Sequence, residues 1–492
     1  MGEYTSEPDR DVAALAHPAL TRGAVLPEYL NLWVSKQRWY GGKGRIPALR
    51  SIGEWSLPAT QPGVSIRTHL LLDTASPEVP LYQLPLTERS SPLPGGEGAL
   101  VGRGADDMFV YDAPHDPAYA EALLRFILEQ GSSVDALNVD ASARGVTLPA
   151  GTADAAPGAV AASQVLSGEQ SNTSIVFDTV DANGRPARPV ICKIFRAVHH
   201  GENPDVAVQS ALARAGSRFV PAPIGCVVGE WDDPGRSAGR ATGHLAFAQE
   251  FLPDAPDAWR AALRAAESGN DFSAEARTLG EATASVHADL ATAMPTREAT
   301  PGFITSVFEG MRYRLHAAVA EVPALAAYAP AIESVFGRVR SASWPRLQRI
   351  HGDYHLGQVL HAPARGWVLL DFEGEPMRAM HERDQPDVAL RDVAGMLRSF
   401  SYAAGAVTIA HPERDPGAAA GWASACRRAF LDGYTDRSGL DPRDQGALLD
   451  ALELDKAVYE TVYETRNRPN WLPIPLAAIR GLVAPAADNA AN

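Results

Sequence analysis

The chain has 492 residues, which is more than one typical domain, so we expect two or three lobes. Its 44 lysines and arginines stand against 59 aspartates and glutamates, and the formal net charge of −15 argues against a nucleic-acid partner. There is neither a signal-peptide pattern nor a run of ~18 apolar residues, so we expect no membrane segment. Three widely separated cysteines in apolar stretches favour reduced packing residues of a cytoplasmic protein: Cys192, Cys226 and Cys426.

The first part of the chain mixes a short helical start with strand-like segments. Residues 65–72 and 79–85 are rich in apolar and β-branched side chains, which predicts a sheet. Proline, glycine and serine dominate residues 90–98, a composition typical of an exposed loop. Apolar side chains recur at helical spacing over residues 119–130. We therefore expect a separate N-terminal cap subdomain over residues 1–112.

The second part, residues 113–252, is predicted to be a β-rich lobe. A polar turn over residues 168–174 precedes the apolar strand 190–195 in a hairpin pattern. Backbone amides and hydroxyls in such a turn can surround phosphate groups, although most polar hairpins are only turns. The residues of this turn that we expect to contact a nucleotide are Gln170, Ser171, Asn172 and Thr173.

Lys193 lies in the middle of that apolar strand. A single lysine in a strand most often faces solvent, but a nucleotide-binding lobe needs one lysine that contacts the α- and β-phosphates. Kinase-like folds hold this lysine with a carboxylate of the next helix, and Glu202 and Asp205 are both candidates. Glu250 and Phe251 follow an apolar run at the position where a hinge would offer backbone groups to adenine, although any strand-to-helix linker has this pattern.

The last part, residues 253–492, is predicted to be helical. Alanine, leucine and arginine recur at helical spacing in four long segments. These segments are 274–290, 307–340, 385–404 and 446–466. Together with the preceding parts they indicate an α+β fold in which a β-rich lobe is followed by a helical lobe.

The stretch from His351 to Leu360, with the acidic turn that follows strand 367–370, carries the most specific chemistry. Phosphoryl transfer needs a carboxylate that orients and deprotonates an acceptor hydroxyl, and oxygen ligands that hold Mg²⁺ on the phosphates. Asp353 is the predicted base, and His351 is predicted to support the loop. Each such residue alone is most often an ordinary surface residue, but their joint occurrence favours catalysis. The predicted metal ligands are Gln358, Asp371 and Glu373.

Residues 454–466 predict a helix that carries Asp455, Tyr459 and Tyr463 on one face at i, i+4 spacing. Aromatic rings flanked by acids and amides suit a sugar, because its C–H faces stack on rings and its hydroxyls need donors and acceptors. The alternative is a core helix whose tyrosines only reach the surface.

The chain resembles the actinobacterial maltokinases, ATP-dependent enzymes that make maltose 1-phosphate for glucan synthesis. Its catalytic and metal loops also have the spacing found in aminoglycoside and choline kinases. The resemblance to the maltokinases covers most of the chain and is most specific in its last three blocks. The blocks are residues 37–40, 169–174, 201–205, 281–288, 351–360, 369–376, 390–400, 455–460 and 468–476.

This resemblance implies a bilobal protein-kinase-like fold with a cap subdomain, and ATP and Mg²⁺ as cofactors. It implies that Lys193 contacts the phosphates and that Asp353 is the base, with Gln358 and Asp371 on the magnesium ion. The acceptor would be a small-molecule sugar, and a functional link to trehalose synthase and a maltosyltransferase of glycogen biosynthesis would follow. The residues expected to contact the sugar on the helical lobe are His355, Lys456, Tyr459, Glu460 and Tyr463.

Three functions stay open. The leading one is phosphorylation of maltose at its anomeric hydroxyl. A sister group with the same fold and motifs phosphorylates glucosamine at the 6-hydroxyl, and its ammonium group needs a carboxylate, for which Asp455, Glu460 and Glu464 are available. The third is a catalytically silent binding protein, because residues 206–209 lack the glutamate that maltokinases tend to carry in this helix.

Overall fold

The structure is a computed structural model of the chain. It describes residues 28–76, 78–104, 107–133, 141–149, 157–166, 171–233, 235–375, 378 and 380–484. The chain divides into two compact units, one formed by Met1–Val206 and Ala222–Phe251 and the other by Ala207–Pro221 and Leu252–Asn492. Most of the predicted parts 1–112 and 113–252 fall within the first unit, and the three-part division stays a prediction.

The first unit begins with helix α1 (Glu28–Ser35) and an antiparallel sheet of order β1-β2-β3-β5-β4. Its strands are β1 (Leu49–Leu57), β2 (Val64–Asp73), β3 (Leu81–Arg89), β4 (Leu100–Arg103) and β5 (Phe109–Asp112). Alternate residues of β1 are buried, as expected of a strand with one face on the core. The predicted strands at 65–72 and 79–85 correspond to β2 and β3.

The prediction of an exposed loop at 90–98 is wrong at Leu93. This side chain is buried and packs with Tyr111. The amide of Leu93 donates to the hydroxyl of Tyr111 at 2.9 Å. A loop dominated by proline and glycine can therefore still fix one apolar side chain in a small cluster of its own.

The rest of the first unit is a second antiparallel sheet with the order β6-β11-β12-β9-β8-β7. Its elements, in chain order, are α2 (Pro117–Leu128), β6 (Ala141–Thr147), β7 (Ala159–Val165), β8 (Asn172–Val180), β9 (Val190–Phe195), β10 (Ala197–Val198), α3 (Pro204–Arg214), β11 (Pro223–Asp232) and β12 (Arg240–Glu250). The short strand β10 pairs with β3 of the first sheet. The chain passes from the first unit into the second within α3.

Arg196 joins the two sheets of the first unit. Its side chain is fully buried, and its Nη2 donates to both carboxylate oxygens of Asp112 at 2.9 and 2.8 Å. Its Nε donates to the hydroxyl of Thr173 at 2.9 Å, and its guanidinium lies 4.9 Å from the ring centroid of Trp39. Because a buried charge is costly unless it is paired, these contacts specify how the two sheets meet.

The second unit is mainly helical, with one short hairpin. Its elements are α4 (Ala258–Ser268), α5 (Ser273–Ala293), α6 (Pro301–Glu321), α7 (Ala329–Gly337), β13 (Val359–Ala362), β14 (Gly366–Leu369), α8 (Met380–Arg383), α9 (Leu390–Ala410), α10 (Pro416–Ser438), α11 (Gly446–Asn467) and α12 (Pro473–Val483). Helix α10 packs against α5 and α9, and α11 packs against α9. None of the described helices combines the length and the apolar character that crossing a membrane requires.

Two of the predicted helical segments have different bounds in the structure. The segment 307–340 contains a break, because α6 ends at Glu321, a 3-10 turn starts at Pro323, and α7 restarts with Pro330 in its first turn. The segment 385–404 begins late, since α9 starts after Pro386. Proline lacks an N–H group and clashes with the preceding turn, so it stands at helix starts rather than in helix interiors.

Candidate active site

Lys193 is paired with a carboxylate of α3. It lies on β9 opposite Ser174 of β8, and its Nζ is 3.0 Å from Oδ2 of Asp205. The side chain of Asn203 accepts a hydrogen bond from the amide of Asp205 at 2.9 Å and so caps this helix. The structure selects Asp205 rather than Glu202 as the partner, while the contact of Lys193 with phosphates stays a prediction.

The predicted phosphate-binding turn is only partly described. Gln170 lies outside the described residues, Ser171 is exposed, and Asn172 is the first residue of β8. Thr173 is buried, and its hydroxyl accepts the hydrogen bond from Arg196. This hydroxyl therefore supports the junction of the two sheets, and a nucleotide contact of the turn stays a prediction.

Glu250 and Phe251 stand at the end of β12. The amide of Glu250 donates to the carbonyl of Ala222 at 2.9 Å, and its Oε2 accepts from the amide of Ala222 at 3.1 Å. The amide of Phe251 donates to the carbonyl of Pro189 at 3.0 Å. Because both backbone donors have partners within the first unit, the predicted adenine contact would have to use carbonyl groups.

Asp392, in the first turn of α9, holds the loop that begins at His351. Its Oδ2 accepts from the amide of His351 at 2.8 Å, and its Oδ1 accepts from the amide of Gly352 at 2.9 Å. The same Oδ2 lies 3.0 Å from Nε2 of His287. The Nε2 of His351 lies 2.8 Å from the carbonyl of Leu370, which agrees with the supporting role predicted for His351.

Asp353 is held in its ionised form by Lys456 of α11. The Nζ of Lys456 lies 3.0 Å from Oδ1 of Asp353 and 3.1 Å from Oε1 of Glu375. Burial alone would raise the pKa of Asp353, but Lys456 and His355 outweigh burial and lower it to about 2. Burial would likewise lower the pKa of Lys456, yet the two carboxylates raise it. Asp353 is thus ionised at neutral pH, as a general base has to be.

His355 caps the short 3-10 helix Leu356–Gln358, and Gln358 is its last residue. The Nδ1 of His355 accepts from the amide of Gly357 at 3.0 Å, so the imidazole caps this turn and keeps Nδ1 unprotonated. Burial lowers the pKa of His355, which also favours the neutral ring. The amide nitrogen of Gln358 donates to Oδ2 of Asp371 at 3.0 Å, so its carbonyl oxygen is the atom that can ligate a metal.

The turn after β14 presents two carboxylates from a strained backbone. Asp371 has a φ of 61°, a left-handed conformation that costs a non-glycine residue ~1–2 kcal/mol. The buried ring of Phe372 lies 4.7 Å from the ring of His351 and so anchors the turn. Carboxylate oxygens of Asp371 and Glu373 lie within 4.8 Å of one another. With the carbonyl of Gln358 they form a set of oxygen donors, the ligand type that Mg²⁺ takes, so the residues present fit this ion.

A narrow cavity of about 30 Å³ lies beside Asp353. Asp455 is held there by Arg314, whose Nε and Nη2 donate at 2.9 and 2.7 Å, and it lies 3.6 Å from Arg391. The volume admits one or two water molecules, and Tyr459 also lines the cavity. The charged lining residues are the cations Arg314, Arg391 and Lys456 and the carboxylates Asp353, Glu375 and Asp455.

Two tyrosines of α11 continue outward from this cavity. The ring centroids of Tyr459 and Tyr463 are 6.4 Å apart at an interplanar angle of 27°. The Nζ of Lys456 lies 4.9 Å from the ring centroid of Tyr459, and the ring of Tyr463 is 39% exposed. These faces suit a sugar, and the contact itself stays a prediction.

Glu460 has an internal partner, and its predicted contact with the sugar stays a prediction. Its Oε2 accepts from Nε and Nη2 of the buried Arg398 at 3.1 and 2.7 Å, and Glu460 does not line the cavity. Glu464 is likewise paired, with Nη2 of Arg468 at 2.7 Å. A buried carboxylate needs a nearby cation, and these pairs supply it within the helical unit.

Several charged residues of the site are not among those predicted from the sequence. Glu375 stands two residues after Glu373 in the same acidic turn, so the acidic composition of this turn could have indicated it. Arg314 has no local signal, because its partner Asp455 is 141 residues away in the chain. The residues found only in the structure are Arg314, Glu375, Arg391 and Asp392.

Comparisons with known proteins give two family matches along the chain. Residues 33–116 match the maltokinase N-terminal cap domain, and residues 164–425, more than half of the chain, match the phosphotransferase enzyme family. A glucosamine kinase of Streptacidiphilus jiangxiensis is 32% identical over 289 residues, which are 56% of this chain and 64%, or less than two thirds, of that protein. A glucosamine kinase of Mycolicibacterium smegmatis is 29% identical over 341 residues, which are 65% of this chain and 81% of that protein.

Solved structures show the same fold. A glucosamine kinase in complex with glucosamine, ADP and inorganic phosphate has a TM-score of 0.64 at 22% identity, and the match covers 92% of this chain and 99% of that one. Another crystal form of a glucosamine kinase has a TM-score of 0.65 at 23% identity, with the same coverage. The predicted α+β kinase-like fold, with its N-terminal cap, and the resemblance to the maltokinases and their glucosamine kinase relatives are thereby confirmed. The chain belongs to the phosphotransferase enzyme family.

Proposed function

We propose that the protein transfers the γ-phosphoryl group of ATP to the anomeric hydroxyl of maltose, which gives maltose 1-phosphate and ADP. Family membership supports the reaction type, and the ionised Asp353 beside a cavity supports the role of base. Asp353 takes the proton of the acceptor hydroxyl as its oxygen bonds to phosphorus and the bond to ADP breaks. The link to trehalose synthase and a maltosyltransferase applies only if maltose is the acceptor.

Each group of the chain has one task in this proposal. Lys456 binds Oδ1 of Asp353 and keeps it ionised, and we assign Oδ2 to the acceptor hydroxyl. Lys193, held by Asp205, would bind the phosphates. Magnesium, when bound, neutralises charge on the phosphates. The residues that would hold it are Gln358, Asp371 and Glu373.

We favour an uncharged acceptor because the charges that line the cavity already balance one another. Its three carboxylates face three cations, and each carboxylate has a cation within hydrogen-bond distance. A neutral sugar bound beside these groups would leave each buried charge with its present partner, whereas an ammonium group would have to compete with a cation that is already paired. Maltose is neutral, and the tyrosine faces of α11 offer area for a second sugar ring.

The second candidate is phosphorylation of glucosamine at its 6-hydroxyl. The glucosamine kinases that are similar to this chain favour it. Glu375 lines the cavity and is the carboxylate that an ammonium group could approach, in competition with Lys456 at 3.1 Å and Arg378 at 3.5 Å. The acids predicted for this purpose each have an arginine partner of their own: Asp455, Glu460 and Glu464.

The acceptor is identified by measuring ADP release with magnesium and ATP in the presence of maltose, glucose or glucosamine. Phosphorus NMR of the product then separates an anomeric phosphate from a 6-phosphate. We expect turnover on maltose and an anomeric product. Turnover on glucosamine with none on maltose would select the second candidate, and silence on every sugar would contradict both and favour a binding protein.

Asp353→Asn tests the base directly. We expect turnover to fall about 10²- to 10⁴-fold, the usual contribution of a general base, while the affinity for ATP stays within about twofold. Steady-state ADP release and calorimetric ATP titration measure the two effects. Asp444→Asn, on an exposed turn, is the matched control and should leave both values unchanged. A fully active Asp353→Asn enzyme would show that another group takes the proton.

A further inference from the structure

A second and larger cavity lies elsewhere in the second unit. It has a volume of about 560 Å³, and none of its lining residues lines the cavity beside Asp353. Its walls are the loop 216–219, helix α5, the far end of the β13–β14 hairpin and the last turn of α10. We call it the hairpin cavity. Its size is in the range of small-molecule sites, roughly 300–1,000 Å³.

Two arginines line the hairpin cavity without carboxylate partners among the described residues. Arg218 is exposed, no described carboxylate lies within 4.0 Å of it, and its Cζ lies 5.2 Å from the ring centroid of Phe219. Arg437 donates from Nε to the hydroxyl of the buried Ser285 at 2.8 Å, and no described carboxylate lies within 4.0 Å of it. In a chain of net charge −15, two such guanidinium groups in one cavity indicate an anionic ligand.

A third arginine fixes one wall. Arg365 of the hairpin donates from Nε to the carbonyl of Arg218 at 2.6 Å and from Nη2 to the carbonyl of Val220. The amide of Leu369 donates to the carbonyl of Phe219 at 2.7 Å. The backbone that carries Arg218 is therefore tied to β14, and the charge is presented from a defined position.

Helix α5 offers hydrogen-bond acceptors to the cavity. Asp289 of α5 has no cation within 4.0 Å among the described residues, and Glu281 is 3.9 Å from Arg277. On the loop that carries Arg218, the hydroxyl of Ser217 is buried and has no hydrogen-bond partner in the described structure. Cations and carboxylates thus line one cavity but stand too far apart to pair with one another, which fits a ligand that carries an anion and hydroxyl donors.

We propose that the hairpin cavity binds a sugar phosphate, with its phosphate on Arg218 and Arg437 and its hydroxyls on Asp289 and Glu281. This inference rests on the proposed function, since a sugar phosphate is the product class of that reaction. The hairpin in the cavity wall leads to the metal turn, because β13 follows Gln358 directly and β14 ends at Leu369. A bound product would therefore sit against the element that carries the predicted magnesium ligands, outside the site that makes it.

Calorimetric titration of the full chain with glucose 1-phosphate as the probe tests the site. We expect binding that weakens about tenfold or more in Arg218→Ala and in Arg437→Ala, because each change removes a charge-assisted contact. Arg214→Ala is the matched control: this arginine is exposed in the last turn of α3 and does not line the cavity. Glucose and inorganic phosphate should each bind at least about tenfold more weakly than the probe, since each offers half of the contacts.

The outcomes separate this inference from the proposed function. ADP release in the absence of sugar phosphate should be unchanged in both arginine variants, which also shows that they fold. If glucose 1-phosphate does not bind, or binds equally well to both variants, the site is overturned even when maltose is turned over normally. If no sugar is phosphorylated but the arginine-dependent binding persists, the proposed function fails and the site stands. Inorganic phosphate that binds as tightly as the probe would overturn the assignment to a sugar phosphate.

Discussion

Lys456 keeps Asp353 ionised, although burial alone would favour its neutral form. Burial in a narrow cavity disfavours the charged form of a carboxylate and so raises its pKa. The ammonium group of Lys456 reverses this effect, and the carboxylates of Asp353 and Glu375 in turn raise the pKa of Lys456. The base is therefore ready at neutral pH without a change of protonation elsewhere.

The ion pair between Lys193 and Asp205 gives the sharpest test at the scale of single residues. Asp205→Asn should lower kcat/KM for ATP about ten- to a hundredfold, because hydrogen bonds to charged groups are worth roughly 1.5–3 kcal/mol. Steady-state kinetics with varied ATP concentration measures the change. Glu202→Gln removes the other acid that the sequence suggested as a partner, and this change should leave kcat/KM for ATP unchanged. Equal losses in the two variants would mean that Asp205 has no special part in holding Lys193.

Residues whose chemistry depends on near neighbours in the chain could be predicted, and residues paired over long distances could not. Asp353 and Asp371 stand in short motifs whose composition suggests their tasks. Whether Glu202 or Asp205 pairs with Lys193 depends on how the start of α3 is oriented, and amino-acid composition does not show this. Glu460 has the right chemistry for a sugar, but α11 turns it toward Arg398 in the interior.

At the scale of elements, α5 and α10 approach closely through glycine. A Cβ atom at Gly280 would overlap the carbonyl oxygen of Phe430, and one at Gly433 would overlap the carbonyl oxygen of Arg277. The two helices therefore pack backbone against backbone. This contact fixes α5, which carries His287 toward Asp392 and so reaches the loop that holds Asp353.

Gly280→Ala should destabilise the protein by about 1–3 kcal/mol, the usual cost of overpacking a well-packed contact. Gly421→Ala is the matched control, because a Cβ atom added at this position of α10 would meet no other atom within 4 Å. It should be neutral or stabilising by up to about 1 kcal/mol, because alanine favours the helix. Urea unfolding measures both free energies. A Gly280→Ala protein as stable as the control would show that the two helices can move apart at little cost.

The helical character of these elements could be predicted from the sequence, but their contacts could not. Periodic alanine and leucine identify α5 and α11 within a few residues. The same periodicity ran past Pro323 and Pro330 and so merged α6 with α7. A glycine inside a helix looks the same to a sequence pattern whether it meets a neighbouring backbone, as Gly280 does, or open space, as Gly421 does.

At the scale of the whole molecule, buried ion pairs connect the helices around the site. Asp387 accepts from Nε of Arg391 at 2.7 Å and from Nη1 of Arg378 at 3.1 Å. Arg391 also lies 3.6 Å from Asp455, which Arg314 holds. Cations and carboxylates alternate along this network, which joins α6, α9 and α11. Their stability therefore depends on every carboxylate staying ionised, and this makes the fold sensitive to acid.

Asp387 tests this dependence. Burial alone would raise its pKa, but Arg391 and Arg378 lower it to about 2, compared with about 3.9 in an unfolded chain. Because the folded value is the lower one, the carboxylate contributes stability above about pH 4 and loses it as the pH falls toward 2. Asp387→Asn should therefore be less stable than the native chain at pH 7, with a flatter dependence of stability on pH between 4 and 2.

Urea unfolding at a series of pH values gives both quantities, and the contribution expected from one such carboxylate is on the order of 2 kcal/mol. Asp444→Asn, on an exposed turn, should keep the pH dependence of the native chain. If Asp387→Asn instead loses stability equally at every pH, its carboxylate acts through hydrogen-bond geometry alone. The charge of Asp387 would then not be what joins α9 to the network, and the acid sensitivity would have to arise at Asp353 or Asp455, whose pKa values are also lowered by neighbouring cations against the effect of burial.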